Sequence, residues 1–148
     1  MSVRFGAIGI NHDHIYGQVA ALLSGGASFA AFHAPEDDLA ARFGKVFPQA
    51  QRVADPRAIL EDASIQCIAS AAVNADRAAI GVLAMRHGKD FLVDKPGVTD
   101  AAQLAEVRRV QAETKRHYSV FFSERFTSRA TLRASALVRE GARARSAA

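Results

Sequence analysis

A lysine flanked by an acid and a proline follows a short apolar segment of the chain. Asp94-Lys95-Pro96-Gly97 comes directly after Phe91-Leu92-Val93. At the carboxyl end of a parallel strand, a lysine faces the cleft in which α/β proteins bind ligands. We expect Lys95 to be a reactive-site residue that Asp94 holds in place. The same residue types also form ordinary solvated turns, so the motif alone assigns no reaction.

A second candidate site is the segment Gly9–His14, which follows the apolar run 3–10. A dinucleotide-binding turn reads G-x-G-x-x-G here, because glycines allow a tight turn and let a pyrophosphate approach the backbone. Only Gly9 is kept in register, and Asn11 and His14 stand at the other two glycine positions. Asn11 suits a positive φ better than most residues, whereas His14 adds bulk where helix and sheet pack closely. We expect phosphates to bind at this turn.

The end of the second expected strand decides which nucleotide is bound. Ala34 stands where an acid normally holds the ribose hydroxyls, and Glu36 and Asp37 follow it. Either acid could make the ribose contact, which would favour NAD, or both could simply suit the start of a helix. No arginine is adjacent in the sequence to receive a 2′-phosphate, so the choice between NAD and NADP stays open.

The pair His12-x-His14 also has a spacing that occurs in metal sites. No third ligand follows at a sensible spacing, so no metal is expected. The two histidines are expected in the cleft, where they contact phosphate or substrate, or else fill the space of the missing glycines. Cys67 lies in an apolar run and is expected to be a core residue. The remaining histidines are expected at the ends of elements: His33, His87 and His117.

Strand-like apolar runs alternate with helical patterns along the chain. Strands are expected over residues 3–10, 27–33, 65–71, 90–94 and 118–122. Helices are expected over residues 14–23, 35–43, 55–62, 75–87, about 100–116 and 127–140, with Asn74 as a cap of the fourth and Thr99 or Asp100 as a cap of the fifth. This alternation predicts an α/β fold: a doubly wound parallel sheet (Rossmann fold) with three layers, α/β/α. Ligands are expected at the carboxyl ends of the strands.

Composition predicts one soluble globular domain. The chain has 148 residues, 49% hydrophobic and 23% charged, with a single cysteine. No apolar run approaches the roughly 20 residues that span a membrane, and the N-terminus has no signal-peptide pattern, so a cytoplasmic location is expected. The net charge of +4 comes from the C-terminal end, where residues 125–148 hold six arginines and one acid. Nucleic acid is not expected as a partner, because no aromatic residue interleaves these arginines after Phe126.

The ordered set of motifs resembles the Gfo/Idh/MocA oxidoreductase family. The family's Glu-Lys-Pro motif matches Asp94-Lys95-Pro96, with Asp in place of Glu, and residues 88–93 have the family's G-K-x-V-L-V character. Its Thr-Pro-Asn corresponds to Ala72-Val73-Asn74, where only Asn74 is kept. Residues 123–126 resemble its segment that closes the sixth strand. The similarity covers roughly residues 3–141.

This resemblance implies a Rossmann domain with NAD or NADP, joined to an α/β substrate domain. It implies hydride transfer between a nicotinamide and a hydroxyl-bearing carbon, often of a sugar or cyclitol. Lys95 would be catalytic, through a hydrogen bond to the reacting oxygen, while the main acid–base residues come from the second domain. The expected cofactor-binding residues are Gly9, Ile10, Asn11, His12, His14, Ala34, Asn74, Asp94, Lys95 and Pro96.

The expected domains are residues 1–124 as the dinucleotide-binding domain and 125–148 as a linker helix and basic tail, with the second domain absent. Apolar residues that such a domain would cover are then exposed, so we expect a homo-oligomer formed through Leu132, Leu137 and Val138. The alternative is a degenerate, non-catalytic Rossmann module that binds a nucleotide or associates with itself. The eroded glycine motif and the missing ribose acid favour this alternative.

Overall fold

The computed structural model describes residues 2–123 and 129–139. Within these ranges, six strands form one sheet in the order β3-β2-β1-β4-β5-β6. The strands are Arg4–Ile8 (β1), Ser28–His33 (β2), Gln51–Val53 (β3), Cys67–Ser70 (β4), Asp90–Asp94 (β5) and Tyr118–Phe121 (β6). All neighbouring strands pair in parallel. The strand order reverses between β1 and β4, which is the switch point of a Rossmann fold.

Helices cover both faces of this sheet. The helices are His14–Ser24 (α1), Asp37–Val46 (α2), Arg57–Leu60 (α3), Arg77–Arg86 (α4), Ala101–Thr114 (α5) and Arg129–Arg139 (α6). Alternate residues of β1 point to opposite faces, so Phe5 and Ala7 join one core and Ile8 joins the other. The first core packs against α1 and α2, and the second against α3 and α4. The predicted three-layer, doubly wound α/β fold is therefore confirmed.

Three expectations about helices and strands are wrong: one strand was missed, one helix begins later than expected, and one expected cap is not formed. The strand β3 was not expected, since it has three residues at the sheet edge and two of them are exposed. The helix α2 begins at Asp37 and not at Pro35, because Glu36 has an extended backbone. Asn74 does not cap α4, since a turn ending at Asp76 precedes the helix.

The cap of α5 is confirmed, because the Asp100 carboxylate accepts a hydrogen bond of 2.8 Å from the Gln103 amide. In α6, the apolar side chains of Leu132, Leu137 and Val138 are exposed, as expected. Phe126 and the basic end after Arg139 lie outside the described residues. No described helix is long and apolar enough to cross a membrane.

Candidate functional site

The turns after β1, β4 and β5 meet at the switch point of the sheet. The main chain joins the first two, because the Ala71 amide donates to the Gly9 carbonyl at 2.9 Å and the His12 amide to the Ala71 carbonyl at 3.0 Å. The third turn joins them through a side chain, because Nδ1 of His14 lies 3.0 Å from Oδ1 of Asp94. Gly9–His14 and the Asp94-Lys95-Pro96 turn therefore lie together at the carboxyl ends of the strands, where this fold binds ligands.

Gly9 cannot be replaced without strain. Its φ is +75°, in the left-handed region, and a Cβ at this position would overlap the Cβ of Ala72. Both facts require glycine where β1 leaves the sheet and turns towards α1. The one glycine that remains of the dinucleotide pattern is therefore the one that the backbone demands.

The backbone conformation of Asn11, at the second glycine position, differs from the one expected. The described non-glycine residues have positive φ only at Lys115, so the expectation of a positive φ at Asn11 is wrong. The exposed Asn11 side chain instead donates a hydrogen bond of 3.1 Å to Glu36. This bond connects the turn after β1 with the end of β2, the two places where a dinucleotide is held.

An arginine lies beside the end of β2, although it is distant from that strand end in the sequence. Ala34 is buried, and its carbonyl accepts a hydrogen bond of 3.0 Å from Arg52, which also pairs with Asp37 at 2.8 Å. Arg52 lies on β3, beside β2. The statement that no arginine is adjacent therefore holds only along the sequence, because the sheet places a cation beside this strand end.

The expectation that Asp94 holds Lys95 in place is wrong. The Asp94 carboxylate is 2% exposed, with Oδ2 3.2 Å from the Arg77 guanidinium and Oδ1 3.0 Å from Nδ1 of His14. The described ion pairs include none between Asp94 and Lys95, because Asp94 is directed into the protein whereas Lys95 is exposed. Lys95 is exposed at this turn, and its role as a reactive-site residue stays a prediction.

Arg77 is the site residue that sequence reasoning missed. Its side chain is 2% exposed, and it donates hydrogen bonds to the carbonyls of Ala72 at 2.8 Å and Lys95 at 2.7 Å. It also donates to the carbonyls of Asp94 and Pro96, both at 3.2 Å. Arg77 therefore fixes the turn that carries Lys95, whose peptide bond to Pro96 is cis. The one signal in the sequence is a charge at the start of the otherwise apolar stretch of α4.

The two histidines lie next to each other and beside Asp94 at the end of β5, and their contact with phosphate or substrate stays a prediction. Their rings are 4.2 Å apart, and the His14 amide donates to Nδ1 of His12 at 3.2 Å. The partly buried His14 ring is directed to Asp94 at the end of β5, and this contact accommodates a bulky residue at the third glycine position. Ile10 is buried at the turn. Asn74 and Pro96 are exposed beside the buried Arg77.

Cys67 is in the sheet, as expected. Its side chain is partly buried on β4, and burial raises the pKa of the thiol to about 12. The thiol therefore stays protonated at neutral pH, and a thiolate nucleophile is not available there. His33, His87 and His117 lie at the ends of elements, as predicted.

These features fit a dinucleotide. Gly9 allows β1 to approach Ala72 closely and to turn towards α1. The start of α1 lies at this turn, and the positive end of its helix dipole favours phosphate oxygens. Glu36 and Arg52 lie at the other end, where an adenosine ribose is held in this fold.

Comparison with solved structures finds the same fold. A protein assigned as an oxidoreductase from Erwinia carotovora atroseptica SCRI1043 superposes with a TM-score of 0.90 and 38% identity, over 95% of this chain and 42% of that chain. This chain therefore spans less than half the length of that relative. No protein-family model and no curated protein matches the sequence.

Two more distant structures share the fold and contain NADP. One is a 3-ketoreductase from Actinomadura kijaniata in complex with NADP and TDP-benzene, with a TM-score of 0.78 and 22% identity, over 95% of this chain and 43% of that chain. The other is biliverdin reductase from Synechocystis in complex with biliverdin and NADP+, with a TM-score of 0.72 and 20% identity, over 83% of this chain and 39% of that chain.

Proposed function

We propose that this chain is the NAD(P)-binding domain of an oxidoreductase of the Gfo/Idh/MocA type. The observation that carries the proposal is the placement of the Gly9 turn and the start of α1 next to the Asp94-Lys95-Pro96 turn, at the switch point. The 38% identity to an assigned oxidoreductase supports it. Residues 1–124 form this domain, and residues 125–148 are the linker helix and basic tail.

Each end of the site has a distinct task. The turn Gly9–His14 binds the pyrophosphate through amide groups, and Glu36 with Arg52 binds the adenosine ribose or its 2′-phosphate. The bound nicotinamide supplies or accepts a hydride. Lys95, held by Arg77, donates a hydrogen bond to the reacting oxygen of the substrate and positions it.

The substrate class is a small molecule with a hydroxyl group, such as a sugar or cyclitol. The family resemblance carries this part of the proposal. The Actinomadura ketoreductase, which shares the fold, was crystallised with a TDP compound, and this supports it. The groups that complete acid–base catalysis in the family belong to its second domain, so turnover is to be measured on a protein that includes one.

The test is a calorimetric titration of the chain with NADH and with NADPH. Saturable binding of at least one nucleotide is expected, and Gly9→Val should abolish it because the added side chain collides with Ala72. Lys95→Met should keep nucleotide binding, since the amine acts on the substrate. Lys45→Met, on the exposed side of α2, is the matched control.

If neither nucleotide binds to the folded chain, the proposal is wrong. The non-catalytic alternative then leads, with self-association through the exposed Leu132, Leu137 and Val138 of α6. Light scattering then tests this alternative, which requires oligomers that dissociate when Val138 is changed to Glu.

A further inference from the structure

Two histidines and a buried carboxylate converge in the cleft. Ring nitrogens of His12 and His14 and a carboxylate oxygen of Asp94 all lie within 4.8 Å of one another. The sequence offers only the pair His12-x-His14, and the fold brings the third group from 80 residues further along the chain. We propose that these three side chains bind one transition-metal ion, with Zn²⁺ as the best match.

The distances suit ligands of a single ion. Zinc binds histidine nitrogen and carboxylate oxygen at about 2.0–2.2 Å, so two ligand atoms on one ion are separated by roughly 3–3.5 Å. Nδ1 of His14 and Oδ1 of Asp94 are 3.0 Å apart. Nδ1 of His12 is 3.9 Å from Oδ2 of Asp94, so a small rotation of its exposed ring completes the set. The ion replaces the proton that His14 and Asp94 share.

Arg77 supports the carboxylate as an outer partner. It is buried and holds Oδ2 of Asp94 at 3.2 Å, while Oδ1 faces the histidine. Hydrogen-bonded partners of this kind orient metal ligands. Because the carboxylate is fixed before the ion arrives, only the two histidine rings have to be ordered on binding.

Charge determines which ion is bound. The guanidinium of Arg77 already neutralises Asp94, so the site offers two neutral imidazoles and little excess negative charge. This composition favours Zn²⁺, Co²⁺ or Ni²⁺ and disfavours Mg²⁺ and Ca²⁺, which require several oxygen ligands.

The experiment titrates the full chain, without an affinity tag and stripped by a chelator, with ZnCl₂ in the absence of nucleotide. One equivalent is expected to bind. His12→Ala and His14→Ala should each lower the affinity by at least about 100-fold, as a ligand outweighs its outer partners. His87→Ala and His117→Ala, at exposed histidines outside the cluster, should leave it unchanged.

A Co²⁺ titration gives an independent readout, since its visible absorption should appear in the parent chain and disappear in His14→Ala. Absence of saturable Zn²⁺ binding, or equal binding by the parent and His14→Ala, overturns the proposal. Circular dichroism verifies that each variant is folded. Because no nucleotide is present, the result is separate from the test of the proposed function.

Discussion

The turn after β1 and the turn after β5 face each other across the cleft but are built in opposite ways. At the β1 turn, the backbone depends on Gly9, the side chains of Asn11 and His12 are exposed, and that of His14 is partly buried. At the β5 turn, the buried Arg77 donates to four carbonyls and a carboxylate. The β1 turn thus depends on the backbone freedom of one glycine, and the β5 turn depends on the hydrogen bonds of one buried arginine.

This difference separates two kinds of constraint. The β5 turn must hold Lys95 in one place. The buried Arg77, which is hydrogen-bonded to this turn, makes the turn rigid. The β1 turn only has to leave room for a ligand, so its other side chains can vary as long as Gly9 is kept. The replacement of two glycines is therefore compatible with the fold.

The largest effect on stability is expected from Arg77→Met, which removes the network at the β5 turn. The change leaves the Asp94 carboxylate buried without its cation, and breaking a buried pair costs about 3–5 kcal/mol of unfolding free energy. Urea denaturation measures the loss. Arg86→Met, on the same helix but in an exposed pair with Glu106, should change stability little. Equal effects of the two variants would show that Arg77 is not a structural anchor.

A second test concerns the β1 turn. Gly9→Ala should lower the unfolding free energy by about 1–3 kcal/mol for the left-handed φ, and by a further amount for the collision with Ala72. Gly26→Ala is the matched control, since its φ is +85° but nothing lies within 4 Å of the added Cβ. The difference between the two denaturation midpoints measures the cost of the close contact between the added Cβ and Ala72 alone. If both variants lose the same stability, close packing at Gly9 plays no part.

The sequence predicts the fold well because the five longer strands are apolar runs between recognisable helices. It misses β3, since three residues at an edge, mostly exposed, leave no apolar pattern. The elements of the site are predicted for the same reason: Gly9 and His14 follow such a strand, and Asp94 is the last residue of one.

The contacts within the site are not predicted, because they join residues far apart in the chain. Arg77 reaches the turn 17 to 19 residues further on, and Arg52 reaches the end of the neighbouring strand. The pairing of Asp94 with Lys95 was expected from their adjacency, whereas Asp94 is directed inward. Side-chain partners thus depend on packing that neither composition nor periodicity describes.

The smallest effect concerns nucleotide choice, and it tests whether the exposed side of the site can change without loss of stability. Arg52 is 40% exposed and pairs with Asp37 at the end of β2. If it contacts a 2′-phosphate, Arg52→Ala should weaken NADPH binding about tenfold, the value of one charge-assisted hydrogen bond, and leave NADH binding and the denaturation midpoint unchanged. Arg86→Ala, outside the cleft, controls for loss of charge. An equal change for both nucleotides would assign Arg52 to the β2–β3 contact instead, and Glu36 would then be the residue that selects the ribose.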